Sequence, residues 1–433
     1  MNLEKMLAGI PGFRDLIAKI KSQDEKLRQV EYQNLLLANE LIDLRLARKK
    51  ESGEKINVVF VCHRPPVWES LHSVFNALKA DERFQVTIVA IPNKKELPGL
   101  WLNHEEYESE GAEEFWKPYG CLNGYNYETK EWLDLRSLKP DYVFFQQPYN
   151  VARPKAYQSG VVSKYARIAY VDYFSPLMYD SVYEECTPID FLDSLSFFFT
   201  QNQDEYEELT KRFQQSVNGL CKIRNTGFPR FDEIMSYDGK PCDAWNSTES
   251  FKILWTPRWT TNEGNCNFFA FKDRMTGFCA GNPAVELVFR PHPQAFREWE
   301  STGELTKEQR EEYLKCFENS NMHLDESSNY MPLLFSTDCL ITDRSSILVD
   351  YFCTLKPIIY CPGKQKSQIL DEYMKGMYIA HTWEELEKTV RQLMNHEDPL
   401  AETRKDIVKR YLKVGETSVA ERIRQELLED ALG

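Results

Sequence analysis

The chain has 433 residues, of which 42% are hydrophobic and 28% are charged, and its formal net charge is -14. These values are typical of a soluble globular protein with two or three domains, and the negative charge argues against a nucleic-acid-binding surface. No apolar run reaches the roughly 18 residues of a membrane-spanning helix, and the N-terminus lacks the apolar core of a signal peptide, so we expect neither. The eleven cysteines form no C-x-x-C pair and no zinc-finger spacing, which indicates reduced thiols in the cytoplasm and no metal site.

Residues 13 to 48 repeat apolar side chains with the seven-residue period of a coiled coil. The a positions are Phe13, Ile20, Leu27, Asn34 and Leu41, and the d positions are Leu16, Gln23, Val30, Leu37 and Leu44. An asparagine at an a position favours a two-stranded coil in register. Opposite charges of Lys26 and Glu31, and of Glu40 and Arg45, would meet between parallel helices, which predicts a homodimer. The alternative is a single amphipathic helix that folds back on its own domain.

From Lys55 onward, apolar runs of strand length alternate with helical segments, which predicts two α/β domains with mostly parallel sheets. The predicted strands are 56–62, 85–91, 141–147, 167–173 and 195–201 in the first domain, and 251–257, 285–291, 321–327, 338–342, 356–362 and 377–383 in the second. A polar stretch at 236–250 predicts a linker between them. The predicted divisions are therefore an N-terminal helix (1–50), a first domain (51–240), a second domain (241–410) and a C-terminal helix (411–433), with a cleft between the two domains.

The segment ELVFRPHP places a polar motif at the end of a predicted strand. Arg290 and His292 are two residues apart and therefore share a face of the strand. The prolines on either side of His292 restrict the backbone and fix the direction of the imidazole. Together the two residues predict anion recognition, in which His292 donates a hydrogen bond to a phosphate or a developing charge. A structural cap at the strand end is the alternative role for His292.

The segment DCLITDRSSILVDY places a second polar motif at a strand end. The hydroxyls of Thr342, Ser345 and Ser346, with the backbone N–H groups of a helix that begins at Ser345 or Ser346, are suited to hold a pyrophosphate without a metal. A plain helix N-cap is the simpler interpretation. Asp350 lies one turn further on, where it would contact ribose hydroxyls or only solvate the surface. Ligands of open α/β sheets bind beyond the carboxyl ends of the strands, so the two motifs predict half of a nucleotide-diphosphate site.

The sequence lacks the short motifs of several other enzyme classes. Neither the glycine-rich motifs of dinucleotide-binding enzymes and P-loop kinases nor the motifs of zincins and typical serine hydrolases are present. A D-x-D in the style of metal-dependent transferases is also missing. This favours a metal-independent reaction in which protein groups neutralise the leaving diphosphate.

Five motifs in order resemble those of the CDP-glycerol glycerophosphotransferase family, which includes teichoic-acid and capsule polymerases and primases. They are TGFPRFDEI (226–234), KILWTPRW (252–259), LVFRPHP (287–293), TDRSSILVDY (342–351) and KPIIYCP (356–362), and the resemblance covers about residues 140 to 430. It implies a GT-B fold, with two Rossmann-like domains that face a cleft and a last helix that crosses back. It also implies that the N-terminal domain binds the acceptor, that the C-terminal domain binds a CDP-linked donor, and that a polyol phosphate is transferred with release of CMP.

The resemblance also implies roles for individual residues. His292 would stabilise the donor phosphate or the leaving group, and Ser345 and Ser346 would bind the CDP phosphates. The donor side would comprise Thr256, Pro257, Arg258, Arg290, Thr342, Asp343, Ser345, Ser346 and Asp350. Arg230 and Tyr173 would lie on the acceptor side. The CDP-linked donor would be a substrate, and neither a metal nor a cofactor is expected.

One departure from the family concerns the catalytic base. The family's second histidine, in a WHGT-like motif, is absent after the strand that begins RIAYVDY, where this chain has Asp172 and Tyr173. A buried carboxylate can act as a general base when burial raises its pKa, so Asp172 is one candidate. His63, after the first strand, is another, with a simple loop role as its alternative. The missing histidine is equally compatible with a different donor or acceptor, or with no catalysis.

The leading hypothesis is a transferase that moves a polyol phosphate, such as glycerol phosphate, onto a glycan or lipid-linked, teichoic-acid-like acceptor of the cell surface. A GT-B glycosyltransferase that uses a nucleotide sugar is the first alternative, because the fold does not select the donor. The second is a non-catalytic assembly protein that retains the fold. We expect a cytoplasmic location, at the inner face of the membrane if the acceptor is lipid-linked, although the sequence has no strong basic amphipathic helix for peripheral membrane association.

Overall fold

The structure of the protein, a computed structural model, describes residues 13–433 apart from 96–103, 110, 174–187, 213–218, 240–241, 263, 265, 319–320, 328, 346, 365–368, 370 and 413–415. Two predicted seam side chains, Phe13 and Leu16, lie outside this description. Ser346, a predicted phosphate ligand, lies outside it as well.

The first α/β domain is built on a sheet whose central strands are almost entirely apolar. Its strands are β1 (Ile56–Cys62), β2 (Phe84–Ala90), β3 (Leu122–Asn123), β4 (Tyr142–Phe145), β5 (Arg167–Val171), β6 (Phe197–Thr200) and β7 (Lys222–Asn225). The described residues form a seven-stranded sheet in the order β7-β6-β5-β4-β1-β2-β3, and these pairings are parallel. Continuous burial of β4 and near-continuous burial of β1 are expected of parallel strands covered on both faces.

Helices and short hairpins connect these strands. The helices are α1 (Phe13–Ser52), α2 (His72–Ala80), α3 (Ala112–Trp116), α4 (Ser159–Val162), α5 (Ile189–Leu192), α6 (Gln203–Arg212) and α7 (Arg230–Met235). A 3₁₀ helix, Pro65–Ser70, follows β1. Between β2 and β4, short antiparallel pairs join Asn93–Lys94 to Tyr107–Glu108 and Tyr125–Asn126 to Glu131–Trp132.

The second α/β domain repeats the arrangement. Its strands are β8 (Phe251–Thr256), β9 (Val285–Phe289), β10 (Met322–Leu324), β11 (Cys339–Thr342), β12 (Ile358–Tyr360) and β13 (Tyr378–Ile379). They pair in parallel in the order β10-β9-β8-β11-β12-β13. The helices are α8 (Phe268–Ala280), α9 (Ala295–Ser301), α10 (Lys307–Leu314), α11 (Met331–Ser336), α12 (Ile347–Phe352), α13 (Asp371–Met374), α14 (Trp383–Met394), α15 (Ala401–Ile407), which continues as a π-helical turn (Val408–Leu412), and α16 (Val419–Leu432).

Each sheet has a point where the strand order reverses. In the first sheet the chain runs outward from β1 to β3, then returns to the other side of β1 with β4. In the second sheet, the reversal lies between β8 and β11. The carboxyl ends of strands at such a reversal form a crevice, which is where ligands bind in open α/β sheets.

The last helix, α16, returns to the first domain. Its residues Ile423 and Leu427 are buried in the same apolar core as β1 and α2. Near its end, Asp430 accepts a hydrogen bond from the Tyr142 hydroxyl at 2.5 Å and forms an ion pair with Arg167. The chain therefore ends against the first sheet, and these contacts tie the two domains together.

The N-terminal helix predicted from the heptad pattern is present as α1. Its C-terminal part packs on the first domain through Ala38, Ile42 and Leu46, which are buried. The predicted pairing of Arg45 with Glu40 of a second helix is corrected by the structure, because Arg45 lies 2.9 Å from Asp141 of its own chain. The fold-back alternative thus holds for this part of the helix, and the coiled coil stays a prediction. None of the described helices has the length and apolar character needed to cross a membrane.

Candidate functional site at the strand ends

His292 follows β9 and lies at the surface with one face of its ring covered. The ring of Trp259 stacks on it, with centroids 5.5 Å apart and planes 24° apart. The backbone N–H of Gln294 donates to Nδ1 of His292 at 3.2 Å, so the neutral ring carries its proton on Nε2. Desolvation and then the charge of Arg258 lower the pKa of His292. The residue is thereby set up as a neutral donor through Nε2.

Arg290, two residues earlier, is bonded to a neighbouring loop. Its guanidinium forms an ion pair with Asp325 and donates to the Ser327 carbonyl at 2.9 Å. It also lies over the ring of Tyr330, 5.0 Å from the centroid. The joint anion recognition predicted for Arg290 and His292 would therefore require Arg290 to share its charge with Asp325.

The predicted donor residues at the ends of β8 and β11 hold the two strands together. The hydroxyl of Thr256 donates to the Thr342 hydroxyl at 2.9 Å, which in turn donates to the Thr256 carbonyl at 2.8 Å. Asp343 is buried, and its two oxygens accept from the backbone N–H groups of Arg258, at 2.5 Å, and Asn267, at 3.0 Å. These side chains fix the loop that follows β8.

Burial and these two hydrogen bonds act on the Asp343 carboxyl in opposite directions. Burial raises the pKa of Asp343 to about 7, and the two N–H donors oppose that rise. In the loop that the carboxyl fixes, Pro257 is buried, whereas Arg258 and Trp259 are half-buried at the reversal point of the second sheet. Arg258 and Trp259 therefore lie directly beyond the end of β8, where a ligand of this crevice would contact them.

The helix predicted to begin at Ser345 or Ser346 begins at Ile347 and has six residues. Ser345 is half-buried, and its carbonyl accepts from Leu348 N–H at 3.3 Å. Element boundaries commonly shift by one or two residues, so the motif does introduce this helix. The phosphate-binding roles of Ser345 and Ser346 stay predictions.

Arg230 and Asp350, predicted on opposite sides of the cleft, are in direct contact. Arg230 binds both oxygens of Asp350, at 2.7 and 2.6 Å, and the Tyr330 hydroxyl donates to Asp350 at 2.6 Å. Arg230 also forms an ion pair with Glu69 of the first domain. Asp350 is buried, so the interpretation that it only solvates the surface is wrong. The described contacts of Asp350 join the two domains.

The carboxylates of this junction are perturbed. Burial raises the pKa of Asp350 to about 6. Burial, followed by the charges of Asp350 and Glu233, raises the pKa of Glu69 to about 7. Sequence reasoning missed Glu69, although its position shortly after the first strand, in PPVWES, was a usable signal. The junction thus contains two acids that titrate near neutrality.

His63 follows β1 at the reversal point of the first sheet and is buried. Its Nε2 lies 3.0 Å from Oε1 of Gln147, and among the described residues none bonds to its Nδ1. Burial, then the charge of Arg153, lowers the pKa of His63 to about 3. The imidazole is therefore neutral across the physiological pH range. The polar pair Gln146 and Gln147 at the end of the strand DYVFFQQ was the signal for these partners, and it was missed.

Asp172 and Tyr173 follow β5. Asp172 is fully buried, with the Tyr170 hydroxyl 3.4 Å from Oδ1, and its backbone carbonyl accepts from Gln201 at 2.9 Å. The hydroxyls of Tyr173 and Tyr149 are 3.2 Å apart. The structure therefore places Asp172, Tyr173 and His63 at the carboxyl end of one sheet. The next residues, 174–187, lie outside the described part of the chain.

The described residues contain no group of three or more histidine, cysteine, aspartate or glutamate side chains arranged to hold a metal ion. Polar strand ends of two parallel sheets, joined across a domain boundary, define a two-domain α/β protein with a ligand crevice at each reversal of strand order. Residues 185–429 match the model of the CDP-Glycerol:Poly(glycerophosphate) glycerophosphotransferase family. The protein belongs to this family, and it is therefore an enzyme of the transferase class.

Solved structures with a similar fold support this assignment at the level of architecture. UDP-GlcNAc 2-epimerase from Neisseria meningitidis, bound to UDP-GlcNAc, is 13% identical, with a TM-score of 0.60 over 86% of this chain and 100% of that chain. The UDP-GlcNAc 2-epimerase from Methanocaldococcus jannaschii is 12% identical, with a TM-score of 0.57 over 86% and 100%. A variant of the wall teichoic acid polymerase TagF is 13% identical, with a TM-score of 0.53 over 93% and 97%. The predicted GT-B fold is confirmed. No curated protein sequence matches this chain significantly.

Proposed function

We propose that the protein transfers a polyol phosphate, with glycerol phosphate as the first candidate, from a CDP-linked donor to a hydroxyl of a cell-surface glycan or teichoic-acid-like acceptor, and releases CMP. The family supports the donor class. The observation that carries the proposal is the state of His292, whose Nδ1 is occupied by a backbone N–H and whose Nε2 is left to donate at a strand end. A fixed donor of this kind suits a phosphate that gains charge during transfer.

The proposed step is a displacement at the distal phosphorus of the donor. The acceptor oxygen forms a bond to that phosphorus, the bond from phosphorus to the bridging oxygen breaks, and CMP leaves with the electron pair. A base takes the hydroxyl proton of the acceptor. The hydrogen bond from His292, with the positive charge of Arg258 nearby, stabilises the charge that grows on the departing phosphate.

Three residues are candidates for the base. Asp172 and His63 are the candidates of the sequence, and Glu69 is added by the structure. A general base works best when its pKa lies near the working pH, which favours Glu69, at about 7, over His63, at about 3. We propose that Glu69 accepts the proton and that Asp172 and His63 position the acceptor.

The donor class is tested by product analysis. The purified protein is incubated with CDP-glycerol, other CDP-alditols or UDP-GlcNAc, with and without an acceptor, and the released CMP, UDP and UMP are measured by chromatography. We expect CMP only from a CDP-linked donor, and a rise in melting temperature with CDP because a bound nucleotide stabilises the folded state. Absence of CMP with every donor, together with no thermal shift by CDP, would refute the proposal.

The base is tested with the variants Glu69→Gln, Asp172→Asn and His63→Gln. Loss of a general base lowers kcat by roughly 10²- to 10⁴-fold and removes the acidic limb of the pH profile. We expect both effects only for Glu69→Gln. An acidic limb that persists in Glu69→Gln but disappears in Asp172→Asn would assign the base to Asp172 instead.

A nucleotide-sugar donor is the second candidate, because one similar solved structure is an epimerase bound to UDP-GlcNAc. This candidate predicts that UDP stabilises the protein more than CDP or CMP does. A thermal-shift series with the three nucleotides at equal concentration therefore separates the two donors.

The place of action follows from the acceptor. With a lipid-linked acceptor the enzyme would work at the cytoplasmic face of the membrane as a peripheral protein. Co-sedimentation with anionic vesicles, with and without the acceptor lipid, tests this: we expect binding only when the acceptor lipid is present.

A further inference from the structure

One face of α1 carries an apolar stripe that no described part of the chain covers. The members of this stripe, 52–69% exposed, are Ile20, Leu27, Val30, Leu37, Leu41 and Leu44. They occupy the a and d positions of the heptad pattern. The stripe is therefore a continuous seam, unlike the scattered single apolar residues that are normal on a protein surface.

The helix is held on its domain by a different face. Ala38, Ile42 and Leu46 are buried, and Lys49 lies 2.6 Å from the fully buried Asp141. These residues follow helical spacing and lie away from the seam. Between residues 18 and 31 every described side chain is exposed, so this part of the helix leaves the domain. These contacts thus hold the helix on the first domain and leave the seam facing away from the domain, uncovered by any described residue.

We propose that a second copy of the chain covers this seam in a parallel, in-register coiled coil. Across such a dimer, Lys26 would meet Glu31 of the second copy, and Asn34 would face its own equivalent, which favours two strands in register. Burying six apolar side chains on each of two helices removes on the order of 1,000 Å² from water, the size at which specific interfaces become stable. The proposal goes beyond the transfer reaction and does not depend on it.

The anchor lies at the opposite end of the first sheet from the candidate site. Arg45 and Lys49 bind Asp141, which directly precedes β4, whereas the site residues follow the strands. The coiled coil therefore projects from the side away from the strand ends, and both copies keep an accessible site. We expect dimer disruption to leave CMP release per chain unchanged with a short acceptor.

The seam is tested with a matched pair of variants. We expect light scattering of the full chain at micromolar concentration to give twice the 50.8 kDa of one chain. Leu27→Asp should raise the dimer dissociation constant by roughly a hundredfold, because two buried leucines are lost and two charges are buried. Gln29→Asp, on the exposed helix outside the seam, should leave it unchanged. A monomeric wild-type chain, or equal effects of the two variants, would overturn the proposal, and a trimer or tetramer would overturn its two-strandedness.

The register is tested by cross-linking and charge exchange. Under oxidised glutathione, Val30→Cys should form an intermolecular disulfide, whereas Gln29→Cys and the wild type should not. Lys26→Glu should weaken the dimer, and adding Glu31→Lys should restore it, because the two charges meet only between parallel helices. Cross-linking of both cysteine variants to the same extent, or no restoration by the double variant, would contradict the parallel register.

Deletion of residues 1–50 is a poor test of this dimer. It would remove Ile42 and Leu46 from the core of the first domain and leave Asp141 buried without Lys49 and Arg45. A shorter deletion, of residues 1–31, removes Ile20, Leu27 and Val30 of the seam and keeps the buried anchor of the helix. We expect a folded monomer, and CMP release by this monomer would show that the dimer and the transfer reaction are separate properties.

Discussion

His63 and His292 each follow a parallel strand, yet they lie in opposite environments. His63 is buried, is 3.0 Å from a glutamine side chain, and has its pKa lowered to about 3. His292 is exposed; its ring stacks on Trp259, and its Nδ1 accepts a hydrogen bond from the backbone N–H of Gln294. Burial therefore makes His63 part of the packed first domain, whereas the surrounding residues fix only the orientation of the His292 ring. Activity and stability should therefore respond differently to changes at the two positions.

For the two histidines, the largest expected effect is on catalysis by the His292→Ala variant. Removing one preorganised donor to a developing charge lowers kcat by roughly 10²- to 10³-fold. Because the side chain is exposed, we expect the free energy of unfolding to change by no more than about 0.5 kcal/mol. Rates of CMP release and urea unfolding curves measure the two quantities.

The matched control for His292→Ala is Gln294→Ala, which retains the backbone N–H that contacts Nδ1. It should keep near-wild-type activity. Normal CMP release by His292→Ala would assign this histidine to the structural strand-end role and remove it from the mechanism.

The second effect concerns the junction that both domains share. Arg230→Met leaves Asp350 buried with the Tyr330 hydroxyl as its remaining described hydrogen-bond donor, and loss of one partner of a buried pair costs about 3–5 kcal/mol. Arg230 is partly exposed, so we expect the lower end of this range. Urea unfolding measures the loss. The variant Arg230→Met/Asp350→Leu should recover part of it, and equal stability of the single and double variants would show that the pair is not what holds the junction.

The fold was predictable from the sequence because its central strands are continuous apolar runs. INVVFVC and VELVF have the length and β-branched content of buried parallel strands. The first forms a strand with the predicted bounds, and the second ends at Phe289, two residues before its predicted end. The position of His292 between two prolines also indicated an oriented side chain. Such signals are local, so one sequence is sufficient to detect them.

The side-chain partners at the site were not predictable in the same way. Thr342 and Asp343 carry polar groups at a strand end, which predicts ligand contacts, but their oxygens are taken by Thr256 and by backbone N–H groups about 80 residues away in the chain. Arg230 and Asp350 lie 120 residues apart, and the family resemblance predicts them on opposite sides of the cleft. Tertiary contacts decide which buried polar groups form hydrogen bonds with one another. The periodicity of the sequence does not predict these contacts.

A smaller effect should distinguish the two histidines by acid stability. The pKa of His63 is lowered from 6.5 to about 3, so below pH 6.5 the unfolded chain binds a proton that the folded chain does not. The contribution of neutral His63 to the free energy of unfolding is therefore fully present above pH 6.5, the pKa of the unfolded chain, and is lost as the pH falls below it. We expect a loss of about 2 kcal/mol between pH 7 and pH 5 from His63.

The comparison of variants isolates this contribution. Urea unfolding at pH 7 and pH 5 should show a much smaller loss of stability on acidification in His63→Gln than in the wild type. The pKa of the exposed His292 is also lowered, so His292→Ala should reduce this loss as well, but by less than His63→Gln does. Equal acid losses in wild type and His63→Gln would mean that His63 is solvated enough to protonate in the folded protein.

The smallest effect has the opposite sign and comes from Glu69 at the junction. Its pKa is raised from 4.5 to about 7, so between these values the folded state binds more protons than the unfolded state, and stability from this group falls as the pH rises. The side chain is 47% exposed, which reduces the expected difference to on the order of 1 kcal/mol between pH 5 and pH 8. The variant Glu69→Gln, which cannot ionise, should lose less stability than the wild type over this range. A carboxyl that still titrates near pH 4.5 would give the two proteins the same pH dependence, and the argument for Glu69 as the base would then lose its electrostatic support.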